Sequence, residues 1–207
     1  LSLNRRETLL YLSRFPGVYV PQFYLPLVKG SIFEGFEKTG SVPNNIQRQW
    51  VDVRRFEVFS HIYTAQTCFK ELGLMEINRG CSYRCRFCAG GVIYHPLRQR
   101  PIEMVVKMID SLKEYTSHLG IIGSDVLSHP QWKDIMKYII NNELTVNFSS
   151  LSAVTLAHHL EYLPYLVKCG VKTLTLAPES GDAETRQYFG KNLADQEWIE
   201  LIQNVFQ

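Results

Sequence analysis

The chain has 207 residues, 45% of them hydrophobic and 20% charged, with a net charge of +2. That is enough apolar material for one sizeable core, or a core with a small extension, and the charge is too mild to argue for nucleic acid by itself. No run approaches the roughly 18 apolar residues of a membrane span, the N-terminal residues lack a secretory signal pattern, and five cysteines, an odd number, argue against an extracellular disulfide framework; a reducing, cytoplasmic setting is the expectation.

The first 70 residues read differently from the rest. Pro16, Pro21, Pro26, Pro43 and repeated glycines favour turns and short extended pieces, with a helix expected over about 5–14 and little else. This gives an N-terminal extension or linker over 1–70 and a main body over 71–207.

From Leu72 a rhythm sets in. "LGLMEIN" is an apolar strand running into a loop with Cys81, Cys85 and Cys88. After Pro101, suited to a helix's first turn, Ile102, Val105, Ile109 and Leu112 recur at helical spacing. "HLGIIGSD" is a second strand, and a helix follows Pro130 with Trp132, Ile135, Met136 and Ile139 apolar. "LTVNFSS" is a third strand, and 156–168 a third helix that Pro164 would kink. "VKTLTLAPES" reads as a fourth strand. Two helices close the chain, over about 182–189 and 194–206, the last with Asn192 as N-cap and Trp198, Ile199, Ile202 and Phe206 on its apolar side. Strands alternating with helices imply an α/β fold of parallel βα units with right-handed crossovers.

In parallel βα barrels, chemistry gathers in the loops that follow the strands. Each of the four strands here runs into a polar or glycine-bearing stretch: Cys81 to Gly91, Gly123-Ser124-Asp125, Ser149 to Ser152, and Pro178 to Gly181. Thiolate sulfur favours zinc, copper(I) and iron-sulfur clusters. A zinc tetrahedron commonly takes two separated cysteine pairs, and no patterned second pair accompanies the trio. A trio of buried structural thiols fits poorly with the interleaved Arg79, Arg84 and Arg86. The third reading is an iron-sulfur cube held by three cysteines, with one iron left free for another ligand.

"CSYRCRFC" is C-x3-C-x2-C with Phe87 before the last cysteine, and it resembles the signature of the radical S-adenosylmethionine (radical SAM) enzymes. "RGCSYRCRFCAGGVIYHPLRQR", "SSLSAVTL", "LTLAPESGDAETRQYFGKN" and "FPGVYVPQFY" are similar to the subgroup whose members carry a cobalamin-binding domain ahead of the radical core. The resemblance implies that Cys81, Cys85 and Cys88 hold a 4Fe-4S cluster whose free iron binds S-adenosylmethionine, and that reductive cleavage gives a 5′-deoxyadenosyl radical. It implies cofactor contacts from Phe87 toward the adenine, from Gly123, Ser124 and Asp125, where the family has Gly-Gly-Glu, and from Ser150, Ser152 and Glu179. Lys191 is a candidate partner for the cosubstrate carboxylate.

The arginines at 79, 84, 86, 98 and 100 would balance cluster charge or attract an anion. The histidines form no metal spacing, and Cys68 and Cys169 read as ordinary thiols. The family core is a six-unit partial barrel, whereas four units are read here, so the expectation is a truncated radical SAM barrel following an absent cobalamin domain. Its edge near Leu174 and Leu176 would invite self-association. The resemblance also implies an electron donor such as flavodoxin or ferredoxin, and, within the class, a cobalamin-dependent methyltransferase; a methylthiotransferase would need further upstream cysteines. From a different class, a zinc-stabilised RNA-binding module using the basic loop is the alternative.

Overall fold

The computed structural model describes residues 4–206 and forms two compact units that divide between Val51 and Asp52. In the first, α1 (Arg5–Leu12) starts at a capping box, in which Asn4 Oδ1 accepts from the Glu7 amide at 2.9 Å and Glu7 Oε2 accepts from the Asn4 amide at 3.0 Å. The proline-rich stretch holds more order than its composition suggests. It contains an antiparallel hairpin of β1 (Tyr24–Lys29) and β2 (Ile32–Lys38), packed on Val20, Phe23, Tyr24 and Val42. Pro26 pairs with Phe36 inside this ladder, which is tolerated because both strands of a two-stranded ribbon are edges.

In the second unit, β3 (Gly73–Glu76) leads through β4 (Asn78–Arg79), α2 (Gly90–Ile93) and β5 (Arg98–Gln99) to α3 (Ile102–Lys113). Then come β6 (His118–Ile122), α4 (Trp132–Asn141) and β7 (Thr145–Phe148). Strands β3, β6 and β7 pair in parallel in that order, the arrangement expected of successive βα units. One face of the sheet is buried through Met75, Leu119, Ile121 and Val146. Against it lie Val105, Met108, Ile109 and Leu112 of α3, and Trp132, Ile135, Met136 and Ile139 of α4. Both sets recur at three- and four-residue spacing, so each helix turns one stripe to the sheet. Each buried side chain contributes about 1.5–3 kcal/mol. The opposite face stays open: Leu74, Gly120, Ile122, Thr145 and Asn147 line a cavity of about 970 Å³.

The helix expected over 156–168 is broken. It becomes α5 (Ala153–Ala157), a 3-10 turn at Leu160–Tyr162, and α6 (Leu163–Lys168). Pro164 sits in the first turn of α6, where its missing amide breaks no bond. The stretch 171–178, read as a fourth strand, joins no sheet ladder among the described residues. Its alternating Leu174 and Leu176 pack partly buried against the core instead, so the apolar period is used without the strand pairing. Three strands, not four, therefore form the sheet.

Helices α7 (Ala183–Phe189) and α8 (Asp195–Val205) follow. Asp182 caps α7 through the Thr185 amide at 2.8 Å. The start of α8 is fixed by Glu197 Oε2 accepting from the Ala194 amide at 2.7 Å, so Ala194, and not Asn192, is the N-cap. On α8, Leu201 is buried and Trp198 and Val205 partly so, while Ile199, Ile202 and Phe206 are exposed. No helix of the described residues is long and apolar enough to cross a membrane.

Candidate cluster and cofactor site

The cysteine loop is closed at its base by the β4–β5 pairing, Asn78 with Gln99 and Arg79 with Arg98. Gly80 has φ +88°, and a Cβ there would sit 2.6 Å from the Pro96 carbonyl oxygen, with Tyr94 closer still, so only glycine fits. Below it, Arg100 is 1% exposed and donates to the carbonyls of Glu76 at 2.6 Å, Phe56 at 2.9 Å and Val53. The Glu76 carboxylate accepts from Arg79 at 2.6 and 2.8 Å and lies 3.4 Å from Arg100. Two of the five loop arginines thus brace the base and are not available to an incoming anion.

Cys81 and Cys85 are half-buried and Cys88 is exposed, all as free thiols. The Cys88 amide donates to the Cys85 carbonyl at 3.0 Å in a tight turn. Burial pushes both the Cys81 and Cys85 thiols up; Asp125 and the neighbouring cysteines add to this at Cys81, and the Lys191 charge opposes it at Cys85.

Three neighbours fasten the loop. The Tyr83 hydroxyl shares a hydrogen bond with Thr155 Oγ1 at 3.0 Å. The Arg84 guanidinium donates to His95 Nε2 at 2.9 Å. Toward α7, the Arg86 amide donates to the Phe189 carbonyl at 3.1 Å, the Arg86 guanidinium lies 4.4 Å over the Tyr188 ring, and Phe87 meets Phe189 edge-on at 5.7 Å.

The segment after β6 turns inward. Gly123 lies so close to Asn78 that a Cβ would overlap the Asn78 side-chain oxygen and come within 2.8 Å of Val126. Asp125 is buried, its carbonyl accepting from Asn78 Nδ2 at 2.6 Å and from Ser128 Oγ at 2.8 Å, and its Oδ1 from Thr155 Oγ1 at 3.3 Å. Burial raises its pKa. Ser124 is exposed beside it. Ser152 Oγ accepts from the Thr155 amide at 3.2 Å and so caps α5, whereas Ser150 is exposed and lines the cavity over the sheet together with Cys68. Glu179 has φ +70° and its carboxylate lies 3.4 Å from Lys191 Nζ. Arg186, 3% exposed, holds this corner by donating to the carbonyls of Ser180 at 3.2 Å, Gly181 at 3.0 Å and Leu193 at 3.1 Å, and by pairing with Asp195.

The fold thus gathers the cysteine loop, Asp125, α5 and the 179–191 corner into one network, and leaves Ser150 to the cavity. Among the described residues, no three His, Cys, Asp or Glu side chains converge as they would around a single ion. Three thiols on a fastened loop are a soft donor set, of the kind that iron-sulfur clusters and zinc take.

The family model for the Radical SAM superfamily matches residues 75–207. The chain belongs to the radical SAM superfamily. This superfamily consists of enzymes, and the matched span contains the second half of β3, the cysteine loop and everything after it. Among curated proteins, the chain is 28% identical over 131 residues to "Uncharacterized protein MJ0966" of Methanocaldococcus jannaschii, covering 62% of this chain and 28% of that protein. Among solved structures, it is similar to the cobalamin-dependent S-adenosylmethionine radical enzyme OxsB with aqua-cobalamin and S-adenosylmethionine bound. That match has a TM-score of 0.51 and 19% identity, over 64% of this chain and 22% of that one. The selenomethionine-labelled apo form of OxsB matches with a TM-score of 0.51 and 18% identity, over the same shares. This radical SAM chain therefore spans about a quarter of the length of the relatives it matches. At that identity, the OxsB likeness shows a shared fold.

Sequence reasoning missed Tyr83, Thr155, Asn78, Glu76 and Arg186. Tyr83 and Thr155 are 72 residues apart, and only the parallel crossover brings them together. Glu76 and Arg186 carried a weaker signal, as charged residues at the end of an apolar strand and inside a short helix.

Proposed function

We propose that Cys81, Cys85 and Cys88 hold a 4Fe-4S cluster in a domain that binds S-adenosylmethionine. The observation that carries this reading is the three-thiol loop lying at the strand ends in one hydrogen-bonded network with the segments after β6 and β7, within a chain of the radical SAM superfamily. When bound, such a cluster supplies an open iron for the cosubstrate and the electron that cleaves its sulfonium.

The residues then divide into two groups. Ser124 and Ser150, the ring of Phe87 and the Glu179 carboxylate would meet a ligand, with Phe87 toward the adenine; the exposure of Ser124, Ser150 and Phe87 supports this. Gly123, Asp125 and Ser152 act from behind, Gly123 by admitting Asn78, Asp125 by accepting from Thr155, and Ser152 by capping α5. The open cavity of about 970 Å³ over the sheet is the proposed entry for substrate.

In the whole protein, residues 1–70 would join this core to a cobalamin-binding domain, and the reaction would be a cobalamin-dependent methyl transfer. The fold shared with OxsB, a cobalamin-dependent S-adenosylmethionine radical enzyme, supports the cobalamin part of this reading. A low-potential flavodoxin or ferredoxin would deliver the electron, and the sheet edge beside 171–178 would be where copies associate. Anaerobic reconstitution with iron and sulfide, followed by metal analysis and reduction in the presence of S-adenosylmethionine, tests the reading. About four irons per chain and release of 5′-deoxyadenosine support it; stoichiometric zinc without colour would favour the zinc-stabilised RNA-binding module.

A further inference from the structure

The corner formed by Glu179 and Lys191 is built toward Cys85. Gly190 ends α7 with φ +82°, and a Cβ there would sit 3.4 Å from both the Cys85 Cα and the Arg84 carbonyl oxygen. The Arg86 amide bond to Phe189 holds the same approach from the loop side. Lys191, the next residue, is fixed by its amide donating to the Arg186 carbonyl at 2.8 Å. Its side chain is 24% exposed, and Nζ lies 3.4 Å from Glu179 Oε1. A lysine at a helix end ordinarily extends into water; this one is turned to Glu179 and largely covered.

Glu179 is held there against its backbone preference. A glutamate at φ +70° is uncommon, and the buried Arg186 fixes the turn by taking the carbonyls of the next two residues. The clamp thus sets a carboxylate against the Lys191 ammonium, one residue from the Gly190 that abuts Cys85. Near a cluster held by Cys85, the lysine charge would favour added negative charge and the glutamate charge would oppose it. The potential of a thiolate-held cluster follows the net charge around it, and partly buried charges are screened little by salt.

We propose that Lys191 and Glu179 are a charge pair that sets the reduction potential of the cluster, Lys191 raising it and Glu179 offsetting that effect. The proposal rests on the cluster reading above. The step concerned is a one-electron reduction in which no bond is made or broken, the electron coming from a low-potential donor, dithionite in the assay.

The test is a mediated redox titration of the anaerobically reconstituted chain, followed by the electron paramagnetic resonance signal of the reduced cluster. Iron and sulfide content are measured on every sample. Lys191→Met is expected to shift the midpoint to more negative potential and Glu179→Gln to more positive potential, both with full iron content. The double variant returns toward the parent value, and Lys191→Arg keeps it. Midpoints that stay put, or that move the same way in both single variants while the cluster is intact, would overturn the proposal. If Lys191→Met fails to fold, the Glu179→Gln and Lys191→Arg midpoints decide it. Absence of any cluster in the parent chain overturns the underlying reading, and the proposal with it.

Discussion

The Tyr83 hydroxyl and Thr155 Oγ1 lie 3.0 Å apart, and the same threonine oxygen lies 3.3 Å from Asp125 Oδ1. A residue inside the cysteine loop is thereby tied to α5 and, through it, to the segment after β6. Removing either hydroxyl breaks the same chain, so Tyr83→Phe and Thr155→Val should each lower stability by about 0.5–1.5 kcal/mol, with the double variant losing less than the sum. Urea unfolding of the four proteins measures this. Strict additivity would show that the two hydroxyls act separately.

Gly123 is predicted to tolerate no side chain while Asn78 is present. The added methyl of Gly123→Ala would overlap the Asn78 side-chain oxygen and crowd Val126 at 2.8 Å, for a loss of about 1–3 kcal/mol. Shortening the neighbour in Asn78→Ala/Gly123→Ala should recover part of that loss, even though the Asn78 bond to the Asp125 carbonyl is gone. Thermal unfolding gives the comparison; a double variant losing the full sum of the two single losses contradicts the packing account.

His129 gives the protein a pH dependence of definite sign. It is buried, with Nε2 2.8 Å from the Arg100 carbonyl and Nδ1 accepting from the Gln131 amide at 3.1 Å, an arrangement that uses the neutral ring. Burial lowers its pKa from the usual 6.5, so the unfolded chain takes up the proton first as pH falls. Its contribution is full above about 6.5 and declines through the lowered folded value. The loss of urea midpoint between about pH 8 and pH 5 should be smaller in His129→Gln than in the parent; an unchanged pH slope would remove His129 from the account.

The βα rhythm was legible in the sequence because α3 and α4 carry their apolar residues at strict helical spacing and the strands between them are short apolar runs. The cysteine trio was legible from spacing alone. Other features were hidden for physical reasons. The hairpin β1–β2 was masked by Pro26, which an edge ribbon accepts. The 171–178 stretch has a strand's alternation and uses it for packing without a ladder. Asn192 has the better capping side chain, yet Glu197 reaches back and fixes the start of α8 at Ala194. Thr155 gains its role only from its contact with Tyr83, 72 residues away, which no local pattern encodes.

Arg186 tests whether the 179–191 corner is held as described. Arg186→Met would leave the Ser180, Gly181 and Leu193 carbonyls without their donor, at about 1–3 kcal/mol for the group at buried Leu193 and less at the other two, which water can reach. Amide hydrogen exchange should then show faster exchange across 179–193 than in the parent, with α3 and α4 unchanged. Equal protection in the two proteins would contradict the clamp.

The central claim is a cluster held by Cys81, Cys85 and Cys88. The measurement that tests it most directly is iron and sulfide content with the electron paramagnetic resonance spectrum after anaerobic reconstitution, on the parent chain and on the three single cysteine-to-alanine variants. The account predicts about four irons per parent chain and a reduced-cluster signal that each substitution abolishes or strongly diminishes. A parent chain without iron, or a signal indifferent to all three substitutions, would contradict it.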